Sequence, residues 1–337
     1  MAVHCVDITK NFKTYKKFEG LKGSFKSLFV REHIINPAIL NFDLSIEPGE
    51  IVALLGPNGS GKTTLMKMLT GIIVPSSGQV TVCDHIPFQR EKEFRKKISL
   101  VMGQKSQLWW DIPAMDSFKL LQRYYEIEEV PFKRRMDELT ETLGVQNYLH
   151  IHVRKLSLGE RMKLELMASL LHAPEIIFLD EPTIGLDLMA QENIREFIRA
   201  YHKEHKSTIL LTSHYMADVE ALCERLIFIF KGKKYFDGEL SQFANIFGRK
   251  KGVNFIFQSP QNKNHPFWQD YEATWNEQGT QVKLYLGTAQ LREISRKILA
   301  DYPVIDFFTE ELAIERVMKK LIKNPEILQS EIPRDDK

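Results

Sequence analysis

The hydrophobic positions in the first part of the chain form short apolar runs that alternate with stretches of three- and four-residue apolar spacing. Short runs bounded by turn residues are typical of buried strands, and the wider spacing is typical of helices. Strands are predicted at 3–8 (an edge strand), 39–46, 51–55, 79–83, 98–102, 176–179, 208–212 and 226–230. Helices are predicted at 65–69, 116–149, 157–171 and 191–205. Because strands and helices alternate, the pattern predicts an α/β fold with mostly parallel strands.

The pattern changes after Gly248. Strands are predicted at 253–257 and 281–286, helices at 289–299 and 311–322, and a fraying polar tail at 324–337. A chain of 337 residues is long enough for one large domain and a smaller one. We therefore predict a first domain at 1–247, with a helical subdomain at about 105–172, and a small α+β domain at 248–337.

The most informative motif joins the predicted strand 51–55 to the predicted helix 65–69, and it fits the phosphate-loop pattern G-x-x-x-x-G-K-[ST]. It consists of Gly56, Pro57, Asn58, Gly59, Ser60, Gly61, Lys62, Thr63 and Thr64. Its glycines allow backbone N–H groups to surround phosphates, and the helix N-terminus adds partial positive charge. Lys62 can reach the β- and γ-phosphates, and the Thr63 hydroxyl can bind Mg²⁺. The alternative is a glycine-rich turn that matches by chance, but the flanking strand and helix favour nucleotide binding.

The composition is that of a soluble globular protein, with 43% apolar and 27% charged residues. The net charge of +2 argues against binding nucleic acid through charge alone. Cys5, Cys83 and Cys223 lie far apart without metal-binding spacing, which predicts reduced, structural thiols in the cytosol. No apolar run approaches the length of a membrane span, and the first residues lack a signal-peptide core. We therefore expect a soluble chain that reaches a membrane only through another chain.

Segment 10–31 is unusually basic and aromatic. It contains Lys10, Lys13, Lys16, Lys17, Lys22, Lys26 and Arg31, with the single acid Glu19, and Phe12, Tyr15, Phe18, Phe25 and Phe29 are interleaved. One interpretation is a solvated loop whose aromatic side chains pack on the domain. The other is a surface that meets anionic lipid headgroups or a membrane partner.

Polar residues that follow three predicted strands form a second group. Asp180 and Glu181 follow strand 176–179, where phosphate-loop enzymes place one acid on Mg²⁺ and use the next to activate water. Gln104 follows strand 98–102, and its amide can reach Mg²⁺ and the attacking water. His214 follows strand 208–212 and can contact the γ-phosphate. Alone, Gln104 is more commonly a loop residue and His214 a structural one, so both assignments depend on the phosphate loop.

Ser157 and Glu160 have the spacing of a capping box at a helix start. The functional alternative is a second anion site, in which the Ser157 hydroxyl and the Gly159 backbone face a γ-phosphate from a helix N-terminus. The spacing by itself is compatible with both.

Together these motifs resemble the nucleotide-binding subunit of an ATP-binding cassette (ABC) transporter, in that family's order, from Val3 to about Leu240. The Walker A motif corresponds to 56–64, the signature to 156–160, Walker B with the catalytic glutamate to 176–181, and the D-loop to 185–187. Gln104 corresponds to the Q-loop glutamine and His214 to the switch histidine. The resemblance implies a P-loop NTPase fold and an ATPase that uses ATP and Mg²⁺.

The resemblance also implies a role for each matching residue. The implied catalytic residues are Glu181, His214, Gln104 and Lys62. The implied metal ligands are Thr63, Gln104 and Asp180. The implied nucleotide contacts are Phe12, residues 56–64, Ser157, Gly159, Glu160 and Asp187. Phe12 is the candidate for the aromatic residue on which the family stacks adenine, and Tyr15 is the alternative.

The chain departs from the family pattern at two places. Its signature has Leu158 in place of a small residue and Glu160 in place of glutamine, which is either a family variant or a cause of reduced activity. Segment 10–31 is longer than the family usually has at that position.

The partners implied by the resemblance are a second cassette and a membrane permease. ATP would lie between Walker A of one copy and the signature of the other, so a chain with one of each must pair with itself or a similar subunit. The sequence at 102–105 and 108–110 resembles that of a bacterial branch of the family that works with ABC-2-type permeases. This resemblance implies an exporter at the cytoplasmic face of the inner membrane. Trp109 and Trp110 either lie in the core or face that permease.

Two other classes of protein are weighed against this one. A soluble ABC-type ATPase for translation carries two cassettes in one chain, and one for repair carries a long coiled coil, neither of which the sequence shows. A small-molecule kinase with a phosphate loop would not explain residues 156–160 or His214.

Overall fold

The computed structural model describes residues 1–15, 33–103, 105–246, 250–271, 273–311 and 314–323. The strands are β1 (Val3–Tyr15), β2 (His33–Ile46), β3 (Ile51–Leu55), β4 (Ser77–Val82), β5 (Ile98–Met102), β6 (Ile176–Asp180), β7 (Thr208–Thr212), β8 (Arg225–Phe230), β9 (Lys233–Glu239), β10 (Lys250–Phe257), β11 (Thr274–Trp275), β12 (Gln281–Gly287) and β13 (Val304–Glu311). The helices are α1 (Lys62–Leu69), α2 (Lys92–Lys97), α3 (Ala114–Tyr125), α4 (Glu129–Leu143), α5 (Leu158–Leu170), α6 (Leu188–His205), α7 (Met216–Leu222), α8 (Leu240–Ala244), α9 (Pro266–Gln269), α10 (Thr288–Asp301) and α11 (Ile314–Lys323). Within these described residues, no helix has both the length and the hydrophobicity needed to cross a bilayer.

A central sheet with the strand order β5-β6-β7-β3-β8-β9 organises the first compact unit, Met1–Gly238. Strands β5, β6, β7, β3 and β8 pair in parallel. Every residue of β6 and β7 is buried, which explains their mainly apolar sequences, because a parallel sheet is covered on both faces. Parallel pairing brings the carboxyl ends of these strands to one edge of the sheet.

A second sheet, with the order β2-β1-β4, is antiparallel. Its side chains share one buried core with α1 and with one face of the central sheet. The prediction of 3–8 as an edge strand is wrong, because β1 extends to Tyr15 and lies between β2 and β4. Residues 16–32, which include most of the basic aromatic segment, lie outside the described residues.

The region predicted as a helical subdomain contains α3, α4 and α5. The region predicted to be helical at 116–149 forms two helices with a break at 126–128, and the second helix ends before the predicted limit. Glu126 adopts a left-handed conformation (φ 54°) that ends α3, and α4 ends at Gly144 (φ 63°). The apolar spacing continues through this break, so the pattern alone did not reveal it.

The second compact unit comprises Glu239–Lys337, so the contacts divide the chain nine residues before the predicted boundary at 247. Its antiparallel sheet has the order β11-β12-β10-β13. Alternate residues of β12 (Val282, Leu284 and Leu286) are buried against Ile294 and Ile298 of α10, as expected of a sheet covered on one face. The pattern missed β13, in which apolar and acidic residues mix, and it also missed β9 of the first unit. The predicted tail, 324–337, lies outside the described residues.

Candidate active site

The phosphate loop connects β3 to α1 in the order that its sequence predicts. Gly61 has a φ of 113°, and a Cβ atom there would lie 2.6 Å from the Ala38 carbonyl oxygen. A Cβ atom on Gly56 would lie 2.1 Å from the Ile229 carbonyl oxygen. Both approaches exclude any side chain, so the loop needs glycine at these positions to fold against β2 and β8.

Lys62 is the first residue of α1 and is buried. Its ammonium donates hydrogen bonds to the carbonyl oxygens of Gly56 (2.7 Å) and Pro57 (3.2 Å). Burial lowers the pKa of Lys62, and the nearby carboxylates of Glu181 and Asp180 oppose that shift. The loop therefore holds a cation next to two acids, which suits a site for an anion that arrives with a metal ion.

Asp180 lies at the end of β6, where the parallel register places it beside Met102 on one side and Thr212 on the other. One carboxylate oxygen accepts a hydrogen bond from the Thr63 hydroxyl (2.9 Å), and the other accepts one from the Thr212 hydroxyl (2.7 Å). The contact between Thr63 and Asp180 brings together two oxygen ligands of the kind that Mg²⁺ prefers. These residues therefore fit a magnesium site.

Glu181 follows in a left-handed conformation with a φ of 57°, which is uncommon for a residue with a side chain. Its backbone N–H donates to the carbonyl oxygen and the hydroxyl of Thr212, both at 3.1 Å. Its carboxylate Oε1 lies 2.8 Å from Nε2 of His214. The backbone hydrogen bonds fix this conformation, and the strand end thus presents an acid in contact with an imidazole.

These residues surround one cavity of about 550 Å³ at the carboxyl edge of the central sheet. Its walls are formed by Asn58, Gly59, Ser60, Gly61, Lys62, Thr63, Thr64, Ala38, Glu181, Ile184 and His214. The structure therefore brings the phosphate loop, the acid after β6 and the histidine after β7 to a single place. This is the crevice in which open α/β sheets bind ligands.

Gln104 lies outside the described residues, whereas its neighbour Gly103 lies within them. The Gly103 N–H donates to the Asp180 carbonyl oxygen at 3.0 Å. A Cβ atom on Gly103 would lie 2.2 Å from the Glu181 carbonyl oxygen. The residue immediately before Gln104 therefore lies against the backbone of Asp180 and Glu181.

Ser157 and Glu160 form the capping box of α5. The Ser157 hydroxyl accepts from the Glu160 N–H (3.3 Å), and the Glu160 carboxylate accepts from the Ser157 N–H (2.8 Å). These hydrogen bonds lower the pKa of Glu160, the backbone bond most strongly, so it is an anion at neutral pH. The capping-box interpretation of this motif is thus confirmed. Contact of Ser157 and Gly159 with a γ-phosphate stays a prediction.

The predicted D-loop packs against the signature. A Cβ atom on Gly185 would lie 3.2 Å from the Leu158 side chain, and one on Gly159 would lie 3.4 Å from Ala190. Asp187 caps α6 by accepting from the Ala190 N–H at 2.8 Å. Within the described part of the chain, the cavity walls do not include Ser157, Gly159, Glu160 or Asp187. Their assignment to nucleotide binding stays a prediction.

Phe12, the predicted adenine platform, is partly exposed on β1, with the Lys10 ammonium 5.3 Å from its ring centroid. It pairs with Asn36 of β2, two residues before the cavity residue Ala38. Its ring is not among the described cavity walls, so the stacking role stays a prediction. The alternative, Tyr15, ends β1, and its side chain lies outside the described residues.

Thr212 was not predicted from the sequence as a site residue, yet its hydroxyl donates to Asp180 and accepts from the Glu181 N–H. A buried network centred on Asp218 of α7 was not predicted either. That carboxylate accepts hydrogen bonds from the hydroxyls of Thr183 and Ser213 and from the Arg195 guanidinium. Thr212 was detectable, because the ends of adjacent parallel strands meet, whereas Asp218 carried no motif signal.

Trp109 and Trp110 are 49% and 50% exposed, so neither lies in the core. Leu108, immediately before them, is buried. The core interpretation of the two tryptophans is therefore wrong, and their side chains are available on the surface of the first unit.

A protein-family model described as "ABC transporter" matches residues 39–184. The ABC transporter ATP-binding protein NatA of Bacillus subtilis (strain 168) is 34% identical over 222 residues, which are 66% of this chain and 89% of that protein. The Nod factor export ATP-binding protein I of Cupriavidus metallidurans is 34% identical over 208 residues, which are 62% of this chain and 67% of that protein.

Solved structures share the fold as well. A dimeric bacterial ABC transporter cassette superposes with a TM-score of 0.59 at 23% identity, covering 71% of this chain and 98% of that one. An ATP-binding subunit of an ABC transporter gives a TM-score of 0.59 at 20% identity, covering 73% and 93%. The family-model match, a relative matched over 89% of its length and the shared fold all agree. The chain therefore belongs to the ATP-binding proteins of the ABC transporter family and is an ABC-type ATPase.

Proposed function

We propose that this chain is the ATP-hydrolysing subunit of a transporter, that it drives a separate ABC-2-type membrane permease, and that the direction of transport is export. The observation that carries the catalytic part is the single cavity in which Lys62, Glu181 and His214 converge. Asp180 and Thr63 touch each other beside it. Each of these residues has a chemical task that suits phosphoryl transfer to water.

Glu181 acts as the general base, which takes a proton from the attacking water. Its contact with His214 supports this role, because the imidazole holds the carboxylate at the cavity wall. Lys62 has an ammonium that can turn from the loop carbonyls to the β- and γ-phosphate oxygens and stabilise charge on the transferred group. His214 then lies where it can donate a hydrogen bond to the same phosphoryl group.

Thr63 and Asp180 are the residues that would hold Mg²⁺, with Gln104 as the third expected ligand. When bound, the ion neutralises phosphate charge. Thr212 supports this arrangement, because its hydroxyl orients the Asp180 carboxylate toward Thr63. Gly103, the residue before Gln104 in the chain, donates its N–H to the Asp180 carbonyl oxygen.

The second half of each ATP site is assigned to another copy of this chain or to a similar cassette. Ser157, Gly159, Glu160 and Asp187 are not among the described cavity walls, which suits contact with a nucleotide held by a partner. The solved cassette of similar fold is described as dimeric, which supports the same arrangement. Phe12 is proposed to stack on adenine in the copy that supplies Walker A.

The names of the relatives and one exposed surface support the proposed permease and direction of transport. One relative is named as a Nod factor export ATP-binding protein. The sequence at 102–105 and 108–110 resembles that of the branch that works with ABC-2-type permeases. The half-exposed Trp109 and Trp110 supply large apolar contacts suited to a permease. The proposed location is the cytoplasmic face of the inner membrane, where the permease would hold the chain peripherally.

The test of catalysis is the substitution Glu181→Gln. Loss of the base is expected to lower the hydrolysis rate by about 10²–10⁴-fold, while ATP still binds and produces a stable dimer in gel filtration. Glu196→Gln, an exposed acid on α6, is the control and should leave both properties unchanged. Hydrolysis at the parental rate in the Glu181 variant would remove that residue from its role.

The test of the partner is purification from detergent-solubilised membranes of the native host. A co-purifying multispanning membrane protein supports the transporter over the soluble translation or repair ATPase. Recovery with ribosomes or DNA-repair proteins instead would refute the permease assignment.

A further inference from the structure

The helix that begins at the signature, α5, carries a buried carboxylate that the proposed chemistry does not use. Glu165 is only 3% exposed and lies two helical turns after Ser157. A buried carboxylate is unfavourable unless hydrogen bonds satisfy its oxygens. Its partners belong to segment 106–108, which lies between position 104 and the exposed tryptophans.

Glu165 accepts three hydrogen bonds from that segment. The Ser106 hydroxyl and the Leu108 N–H (3.5 Å) donate to Oε1, and the Gln107 N–H donates to Oε2 (2.8 Å). Burial raises the pKa of Glu165, while these donors and the nearby Arg161 oppose the shift. One side chain of α5 thus accepts from the Ser106 hydroxyl and from the backbone N–H groups of the next two residues, much as a helix cap does.

A second side chain of α5 contacts the same region one turn earlier. The Arg161 guanidinium lies 5.1 Å from the ring centroid of Trp110. On the opposite side of the segment, the Gln107 amide donates to the Leu100 carbonyl oxygen of β5 at 2.7 Å. Residues 106–110 are therefore attached both to the strand that leads to Gly103 and to the helix that begins at Ser157.

From this geometry we infer that Glu165 is a positioning residue that makes the exposed Trp109–Trp110 surface move together with the signature helix. The inference rests on the proposed function, since it requires that ATP draws the signature toward a partner. When α5 shifts, the three bonds to Glu165 force segment 106–108 to follow. Breaking them would leave a buried carboxylate without donors and the Gln107 N–H without an acceptor, while the Leu108 N–H would keep only its bond to the Ser106 hydroxyl (3.2 Å).

The test is the ATP-dependent change in acrylamide quenching of Trp109 and Trp110. The double variant Trp109→Phe/Trp110→Phe measures the signal of Trp268 and Trp275, which is subtracted. In the parental chain, ATP with magnesium is expected to change the quenching constant of the two exposed tryptophans by at least twofold. Glu165→Gln should abolish that change, because the amide places a donor against groups that donate.

Two further variants separate coupling from simple loss of a hydrogen bond. Ser106→Ala removes one partner and should give a partial loss, and combining it with Glu165→Gln should add little, since both changes break the same contact. Ser169→Ala removes a buried hydroxyl of α5 whose one bond among the described residues is to the Leu166 carbonyl oxygen of its own helix. It should keep the full ATP response and controls for general damage to the helix.

The outcomes distinguish this inference from the proposed function. If the parental chain does not bind ATP, the proposed function fails. If ATP binds and pairs the chains but the tryptophans do not respond, or if Glu165→Gln responds like the parent, the positioning role is refuted. If Glu165→Gln does not fold, the Ser106→Ala result decides, and a full response in that variant refutes the role.

Discussion

The buried carboxylate of Asp218 offers the sharpest test of how the catalytic loops are held. It is 1% exposed on α7, and it binds Thr183 two residues after Glu181 and Ser213 immediately before His214. Its other oxygen accepts from Arg195 at 2.9 Å. One side chain therefore fixes both loops that present the catalytic pair, and its removal should affect stability and catalysis together.

The magnitude follows from these contacts. Asp218→Ala removes a charge-assisted bond worth about 1.5–3 kcal/mol and leaves two hydroxyls without an acceptor, at about 1 kcal/mol each. The sum agrees with the roughly 3–5 kcal/mol measured when buried ion pairs lose one partner. Because Arg195 keeps its contact with Glu192, we expect a value of about 3 kcal/mol, near the lower end of that range. Asp218→Asn should cost less, about 1–2 kcal/mol, since hydroxyls can reverse and accept from the amide.

The assay is equilibrium unfolding in urea followed by circular dichroism, together with steady-state ATPase kinetics. The control is Asp237→Ala, which breaks the pairs of Asp237 with Arg225 (2.9 Å) and Lys234 (3.0 Å). The side chains of Asp237, Arg225 and Lys234 are 19%, 26% and 29% exposed. Solvent reduces that loss to about 1 kcal/mol. Asp218→Ala should also lower kcat at least about tenfold with little change in KM, because the bound nucleotide stays while Glu181 and His214 lose their geometry. Equal losses of stability in the two variants would refute the argument from burial.

Two further predictions concern the site and the core. Gly103→Ala places a Cβ atom 2.2 Å from the Glu181 carbonyl oxygen, so it should displace Glu181 and lower kcat by about tenfold or more. The control Gly287→Ala should leave ATPase kinetics unchanged, since its Cβ atom meets nothing closer than 3.8 Å. A normal kcat in Gly103→Ala would show that the backbone contact is not needed. Burial raises the pKa of both Cys5 and Cys83 to about 12 and raises that of Cys223 as well. The folded protein at pH 8 should therefore react with a maleimide far more slowly than the urea-unfolded chain. Fast labelling of the folded protein would contradict the burial of these thiols.

Much of the central sheet could be predicted from the sequence. The strands predicted at 98–102 and 208–212 match β5 and β7, because the strands of a sheet covered on both faces are rich in apolar residues. Strand β13 escaped prediction, because its exposed Ile305 and Phe307 and its acidic residues do not form an alternating pattern. The position of β1 between two other strands also escaped it, since pairing partners are distant in sequence.

By itself the sequence determined the phosphate loop, the order of the motifs and the acids after β6, because glycine spacing and short apolar strands are local requirements of the backbone. Only the tertiary structure decided that Thr212 bridges Asp180 and Glu181, that Asp218 joins the two catalytic loops, and that Glu165 caps segment 106–108. These contacts join residues that lie tens of positions apart or that carry no motif. They depend on parallel register and on the need to satisfy buried polar groups, which arise only when the chain is packed.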